Sequence, residues 1–399
     1  MEWKEVRLGD YIKTNETQYS IKENWENFVY LDTGSIIEGR IDTLLYFTKE
    51  DKLPSRARRK VQHGDIIYSC VRPNQRHYGY INNPVENLLV STGFVVISCK
   101  DIDSKYLYYY LSQDTIINYL QNIGEQSVST YPTIKPQDIE DIFIRIPSDI
   151  EDQRRIASIL SSLDRKIELN NKINADLEEM AQAIFKNWFV DFEPFKDGKF
   201  VDSELGMIPE GWIVGTLGDI TKNKSAKVKE RNDVKVLSPV TTGELVLSEE
   251  YFTKQVFSSS IAKYKIVNKG DFAYNPARVN IGSLGRNEFD FDGCVSPVYV
   301  VFSVLDGYEN YFDLFRKTDF FKDSVASLAI GGVRQSLSYD DLSSIEVIIP
   351  SENAVEEFNN LYNQMKKTIK ANKLEISRLS TLRDTLLPRL MSGELEVPE

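Results

Sequence analysis

The feature that most constrains this chain is a long stripe that occurs twice. Ile156, Leu160, Leu163, Ile167, Asn170, Asn174, Leu177, Ala181 and Ile184 follow one another at alternating gaps of four and three residues. Phe358, Tyr362, Met365, Ile369, Asn372, Ile376, Leu379, Arg383 and Leu386 repeat those gaps 202 residues later. A four-three repeat lays one narrow stripe along an α-helix, and that stripe needs a partner helix to cover it. Asn170 and Asn372 take matching places in the two stripes. A polar residue in an apolar seam is costly alone and tolerable when paired, so it reads as a register pin. Two unrelated amphipathic helices would not share one offset in this way.

Start and stop signals frame both helices. Ile146-Pro147-Ser148 precedes the first, with Glu151 three residues after Ser148, the spacing of a capping box. Ile349-Pro350-Ser351 precedes the second, and Pro388 is expected to close it. Each helix is then roughly 35 residues, about 50 Å at the rise of an α-helix. The intervening segment is long enough for one folded domain, and the ends of a domain usually lie close together. The second helix should therefore run back antiparallel to the first, with Asn170 and Asn372 meeting at a pseudo-two-fold axis.

The duplication extends beyond the helices. WKEVRLGD at Trp3–Asp10 matches WIVGTLGD at Trp212–Asp219, and Leu31-Asp32-Thr33-Gly34 matches Val240-Thr241-Thr242-Gly243. Gly64-Asp65 opens one apolar run and Gly270-Asp271 another, and Asp138–Pro147 matches Asp341–Pro350. Short β-branched and aromatic runs predict strands at 28–32, 65–70, 93–98, 142–146, 234–238, 271–274, 298–304 and 345–349. The expected fold class is α+β: two tandem mixed α/β domains separated by two long antiparallel helices forming a coiled coil, with pseudo-two-fold symmetry. The expected boundaries are 1–148 for the first domain, 149–189 for the central spacer helix and 190–211 for an ordered linker. The second domain is expected at 212–350, with 351–399 as the C-terminal spacer helix and tail.

Catalytic chemistry is hard to place. There is no phosphate-binding loop and no dinucleotide fingerprint. Cys70, Cys99 and Cys294 are widely spaced, and His63 and His77 are the only histidines, so no disulfide framework, zinc site or metal site is expected and the cytosol is the default location. Glu288, Asp290 and Asp292 alternate with Phe289 and Phe291, which reads as a strand with one wet face. No apolar run approaches the ~18 residues that span a bilayer, so no membrane is expected.

Charge points to binding. The net charge is −12, which alone disfavours a nucleic-acid partner. Residues 52–76, however, carry seven cations, among them Arg56, Arg58, Arg59 and Lys60, against Asp65 alone. Residues 222–235 form a second basic stretch that includes Lys227 and Lys229. After Gly64-Asp65 comes a segment bearing Arg72, Asn74, Gln75, Arg76 and Tyr78. After Gly270-Asp271 comes one bearing Asn275, Arg278, Asn280 and Arg286. Arginine forks onto guanine and Asn or Gln onto adenine in the major groove, while the flanking basic residues can hold phosphates. Two such loops at equivalent places are the candidate DNA-binding residues. Ile156, Leu160, Leu163, Ile167 and Asn170 are expected to pair with Phe358, Tyr362, Met365, Ile369 and Asn372.

The chain resembles the specificity subunit of a type I restriction–modification system over nearly its whole length. The resemblance rests on Trp-x(4)-Leu-Gly-Asp at each domain opening, on Ile146-Pro147 followed by Gln153 and Ile156, on Asn187–Pro194, and on Gly206–Trp212. The second copy departs from the pattern, with Val355 where the first has Gln153. The resemblance implies that each variable domain is a target recognition domain for one half of a bipartite, asymmetric site in double-stranded DNA. It implies that the helices set the spacing and dock modification subunits, with a restriction subunit as a further partner. Such a chain is not itself an enzyme and binds no cofactor; S-adenosylmethionine, ATP and Mg are expected on the partner subunits. The competing readings are a non-catalytic coiled-coil scaffold joining two protein-binding domains and an enzyme with an unrecognised nuclease site.

Overall fold

The computed structural model describes residues 1–126, 131–252, 254, 256–258, 260–328 and 336–397. Its contacts divide the chain into two units, one of Met1–Asn171 with Asn372–Glu399 and one of Lys172–Ala371. Each unit holds one part of each long helix. The class is mixed α/β.

In the first unit, Trp3–Arg7 pairs antiparallel with Phe143–Pro147. One four-stranded sheet runs Ile12–Thr14, Phe94–Cys99, Ile66–Ser69, Tyr78–Tyr80. The other runs Leu45–Thr48, Asn27–Leu31, Leu88–Ser91, Ala57–Lys60, and its pair of 27–31 with 88–91 is parallel. The second unit repeats this order. Ile213–Thr216 pairs with Glu346–Ile349. One sheet runs Thr221–Lys224, Val300–Val304, Phe272–Tyr274, Leu284–Arg286. The other runs Leu245–Leu247, Lys235–Pro239, Gly293–Val295, Lys265–Val267, again with its 235–239 and 293–295 strands parallel.

Each of the eight strands expected from β-branched and aromatic runs is found within two residues of its expected limits. Six of them are inner strands of the four four-stranded sheets, and all but Lys235–Pro239 are largely buried apolar runs, which is why they stand out. The strands missed are mostly edges with polar faces. Glu288–Asp292, expected as a strand, is instead an irregular turn in which Phe289 and Phe291 stack with centroids 4.9 Å apart. Its acids are held by ion pairs: Glu288 with Lys366, Asp290 with Lys269 and Lys370, and Asp292 with Arg231. The linker contains a hairpin, Phe200–Ser203 with Gly206–Pro209.

The repeated motifs have structural roles. Leu8 and Leu217 are buried, and their N–H groups donate to the Ile142 and Ile345 carbonyls. The glycine that follows each lies so close to a neighbouring helix that a Cβ would sit 3.1 Å from Glu140 or 3.2 Å from the Ser343 carbonyl. Asp65 accepts from the Gln62 N–H at 2.8 Å, and Asp271 from the Asn268 N–H at 2.9 Å, so each carboxylate closes the turn that feeds an inner strand. Gln153 ties the helix start to its domain: its amide donates to the Pro147 carbonyl at 3.0 Å and its oxygen accepts from the Asp103 N–H. In the second unit Val355 is buried instead, and the Tyr308 hydroxyl takes the matching Pro350 carbonyl at 2.8 Å.

The long helices span Ile150–Phe189 and Glu352–Ser392. The first is capped by Asp149, whose side chain accepts from the Glu151 N–H at 2.9 Å, and not by Ser148. Pro388 does not close the second helix but lies inside it. The chain continues because Leu390 and Met391 are buried in the first unit's core, and it stops at Gly393, in the left-handed region (φ +78°) and against the Trp3 ring. Within the first unit, Asp164 meets Arg383 at 2.9 Å and Asn170 donates to Glu375 at 2.7 Å. Numbers rise on one helix as they fall on the other, so these segments run antiparallel. Asn170 is only 1% exposed. It is pinned to Glu375, three residues beyond the expected Asn372, so an amide–carboxylate bond stands where the sequence predicts an amide–amide one.

Within the second unit, Phe185 and Phe189 pack on Phe358 and Tyr311, the Phe189–Phe358 centroids being 5.0 Å apart. Phe358 is 1% exposed. Removing so large a buried ring leaves a cavity as well as losing transfer energy. Phe358→Ala should cost about 3–5 kcal/mol, read as a lower midpoint in thermal or urea unfolding, whereas exposed Leu361→Ala should change it by only about 0.5 kcal/mol.

Candidate nucleic-acid interface

The first candidate loop leaves the strand Ile66–Ser69 and turns through a short helix at Pro73–Gln75 into Tyr78–Tyr80. Arg72 and Arg76 flank this helix and both take the left-handed conformation, φ 49° and 57°. The loop is fastened to a neighbouring segment. The Arg72 N–H donates to the Pro132 carbonyl at 2.9 Å, and the Ile134 N–H donates to the Cys70 carbonyl at 2.8 Å. The Asn74 N–H donates to Gln121 Oε1. The second candidate loop occupies the equivalent connection, between Phe272–Tyr274 and Leu284–Arg286, around a short helix at Val279–Ile281. It too is fastened, the Leu337 N–H donating to the Pro276 carbonyl at 3.1 Å.

The structure sorts the sequence candidates. Arg76 bridges Glu38 at 3.2 Å and Asp114 at 2.6 Å, which makes it a clamp between a small hairpin and a helix. Tyr78 is a correction: it is 5% exposed and stacked on Tyr68, so it belongs to the core and offers no face to DNA. Lys60 reaches Glu23 at 2.5 Å and lies over the Trp25 ring. Arg286 donates to Asn310, which in turn donates to Asn359 and Asn363 on the second long helix. Asn275 accepts from the Ala277 N–H and so shapes its own loop.

Other candidates face water. Arg56, Arg58, Asn74, Gln75, Lys227, Lys229, Arg278 and Asn280 are exposed. Arg59, expected on a DNA-facing basic stretch, lies in the strand Ala57–Lys60. It is half-buried, and its Nε and Nη1 are enclosed without a partner among the described residues. Burial pulls its guanidinium below the ordinary arginine range. A shallow, open depression runs along Ala226–Arg231 beside Lys227 and Lys229. Arg72 lies with its guanidinium over the Tyr131 ring, 4.4 Å from the centroid. Tyr131 was not a sequence candidate, because nothing in its spacing announces a partner sixty residues upstream.

Of the expected pairing residues, Ile156 and Leu160 are buried in the first unit's core, and Phe358 and Tyr362 in the second's. Leu163, Ile167, Met365, Ile369 and Asn372 are half-buried. No helix is long and apolar enough to cross a membrane, and no group of three His, Cys, Asp or Glu side chains is placed to hold a metal ion, both among the described residues. Burial pushes the Cys99 thiol up to about 12 and the Cys294 thiol to about 11, and it raises Cys70 as well, so none of the three supplies a thiolate at neutral pH.

The chain is 31% identical over 334 residues to the type I restriction enzyme MjaIX specificity subunit of Methanocaldococcus jannaschii, covering 80% of this chain and 76% of that one. It belongs to the family of type I restriction enzyme specificity subunits. Residues 1–179 match the model described as the type I restriction modification DNA specificity domain. The HindI specificity subunit of Haemophilus influenzae is 27% identical over 99% of this chain and all of its own length. The solved S subunit of a type I restriction–modification system from M. genitalium shares the fold, with a TM-score of 0.57 at 17% identity and cover of 100% and 96%. This specificity subunit thus has the ancestry its repeated motifs suggest.

Beneath the second loop lies a buried ion pair. Arg316 donates to the Leu284 and Gly243 carbonyls and to Asp313 at 2.7 Å. Burial opposes ionisation of Asp313, but Arg316, Lys317 and Lys366 outweigh it and hold the carboxyl at about 2. A depressed carboxyl contributes stability above its unfolded pKa and loses it as pH falls toward the folded one. Asp313→Ala should therefore cost about 3–5 kcal/mol at pH 7, since it strands a buried cation. The deficit relative to the unsubstituted chain should shrink between pH 4 and pH 2, as urea unfolding across that range would register.

Proposed function

We propose that this chain is the DNA-reading subunit of a type I complex and carries no catalytic site of its own. Residues 1–148 read one half of a bipartite site in double-stranded DNA and residues 212–350 read the other. The helical segments 149–189 and 351–399 pair as an antiparallel coiled coil about a pseudo-two-fold axis and set the gap between the halves, with 190–211 as the connector. The observation that carries this reading is one strand order used twice, with a different polar loop in the same connection each time. Duplication with divergent loops suits an asymmetric target.

Exposed Arg56, Arg58, Lys227 and Lys229 suit phosphates, which position a protein without specifying sequence. Exposed Leu169, Met180, Leu361, Leu374 and Leu382 on the long helices support docking of modification subunits. Methyl transfer to adenine belongs to those subunits with S-adenosylmethionine, and translocation and cleavage to a restriction subunit with ATP and Mg. Work inside the cytoplasm follows from such a role.

Mapping methylated adenines made by the chain with its modification subunits should return a two-part motif with an unspecified spacer. A scaffold that never meets DNA would give no sequence-dependent binding or methylation. Arg278→Ala should relax the second half alone, with about 5- to 150-fold less discrimination at one base pair. Equal weakening on every sequence would assign Arg278 to phosphate.

A further inference from the structure

We infer that Arg72 and Tyr131 act together as one reading element for a guanine in the first half-site, with Tyr131 as the positioning residue. The inference rests on the DNA-reading function proposed above and goes beyond it by naming the residue pair and the base. Among the arginines near the first loop, Arg76 is spent on two carboxylates, Arg58 reaches the Ser55 carbonyl, and Arg59 is half-buried. Arg72, half-buried like Arg59, differs in having its guanidinium over an aromatic face. Among the described residues no carboxylate or carbonyl takes its side-chain N–H groups; its described side-chain partner is an aromatic face.

Its backbone is fixed from both sides. The Arg72 N–H is held by Pro132, and its carbonyl accepts from the Gln75 N–H at 2.9 Å. The residue sits at φ 49°, ψ 68°, a conformation that costs a non-glycine residue about 1–3 kcal/mol and persists where surroundings enforce it. Val71 and Thr133 form a bridge alongside, so the loop that bears Arg72 and the segment that bears Tyr131 are laced together. Tyr131 is 52% exposed, so the stacked pair lies at the surface.

A guanidinium held over a ring face, as Arg72 is over Tyr131 at 4.4 Å from the centroid, keeps N–H groups available. Those groups match the O6 and N7 acceptors of guanine in the major groove, and pre-orienting them lowers the ordering cost of binding. Stacking gives direction where a bare surface arginine would swing. A lysine at this place would keep the charge and lose the fork.

The test uses the chain assembled with its modification subunits, after its motif has been mapped, on duplexes altered one base pair at a time. The first half-site is the one that Arg278→Ala leaves intact. Arg72→Lys and Tyr131→Leu should lose discrimination at the same G·C pair of that half by about 10- to 100-fold, leave the other half unchanged, and leave non-specific binding unchanged. Tyr131→Phe, which keeps the ring, should match the unsubstituted chain. The inference is overturned if Arg72→Lys retains full discrimination, if it weakens every duplex equally, if the two variants act at different pairs, or if the first half contains no guanine. Loss in Tyr131→Phe equal to that in Tyr131→Leu overturns the stacking role. Should Arg72→Ala fail to assemble, Arg72→Lys still decides. A bipartite motif from the unsubstituted complex preserves the broader reading whatever the variants do, whereas no motif at all removes both.

Discussion

A mostly apolar stripe that runs from residue 156 to 184 of a forty-residue helix is unstable in water unless something covers it, and that requirement shapes this molecule. A helix gains little from propensity alone and depends on packing of its apolar face. Cover is concentrated at the ends of the two long helices. Ile156 and Leu160 enter one core together with Leu390 and Met391, while Phe185 and Phe189 enter another with Phe358 and Tyr362. Toward the middle, the apolar positions Leu163, Ile167 and Leu177 are only half-buried and polar links take over, with Asn170 and Lys166 on Glu375 and Asp164 on Arg383. Each helix is thus an extension of the domain that precedes it, and Gln153 or Tyr308 fixes the joint.

Much of this architecture is legible in the residue order because duplication doubles every signal. Trp3 and Trp212, Asp65 and Asp271, and Pro147 and Pro350 are weak clues singly and strong ones in register. Inner strands such as 94–99 and 300–304 declare themselves by continuous burial. Edge strands such as 57–60 do not, since ARRK reads as a surface run until pairing with 88–91 reveals its alternation. Helix ends were misjudged where tertiary packing overrode a local rule: Pro388 is tolerated because the next turn is anchored in a core. Asn170 was rightly singled out, but its partner was beyond reach, as a register shift of a few residues between two helices leaves no trace in either one.

The site was harder to read than the fold, for an electrostatic reason. Seven cations in 52–76 look alike as letters. In space they divide into clamps, such as Arg76 between Glu38 and Asp114, stacked cations such as Lys60 on Trp25, and outward groups such as Arg56. Partners lie tens of residues away, so composition counts charge without saying how much of it is already neutralised. The acidic total matters less than which cations remain uncommitted at the surface. The same holds for aromatics: Tyr78 and Tyr131 flank the same loop, yet one is sealed under it and the other stands open beside Arg72.

The last turn of the second long helix fills a core built mainly from the first 160 residues, and Gly393 rests on Trp3. This imposes an order on synthesis. As the polypeptide leaves the ribosome, every buried residue of the second unit's main core emerges before Leu390 and Met391, which the first core still awaits. The first core therefore lacks its last two buried side chains until translation is nearly over, so a premature stop near the end would damage the part made earliest.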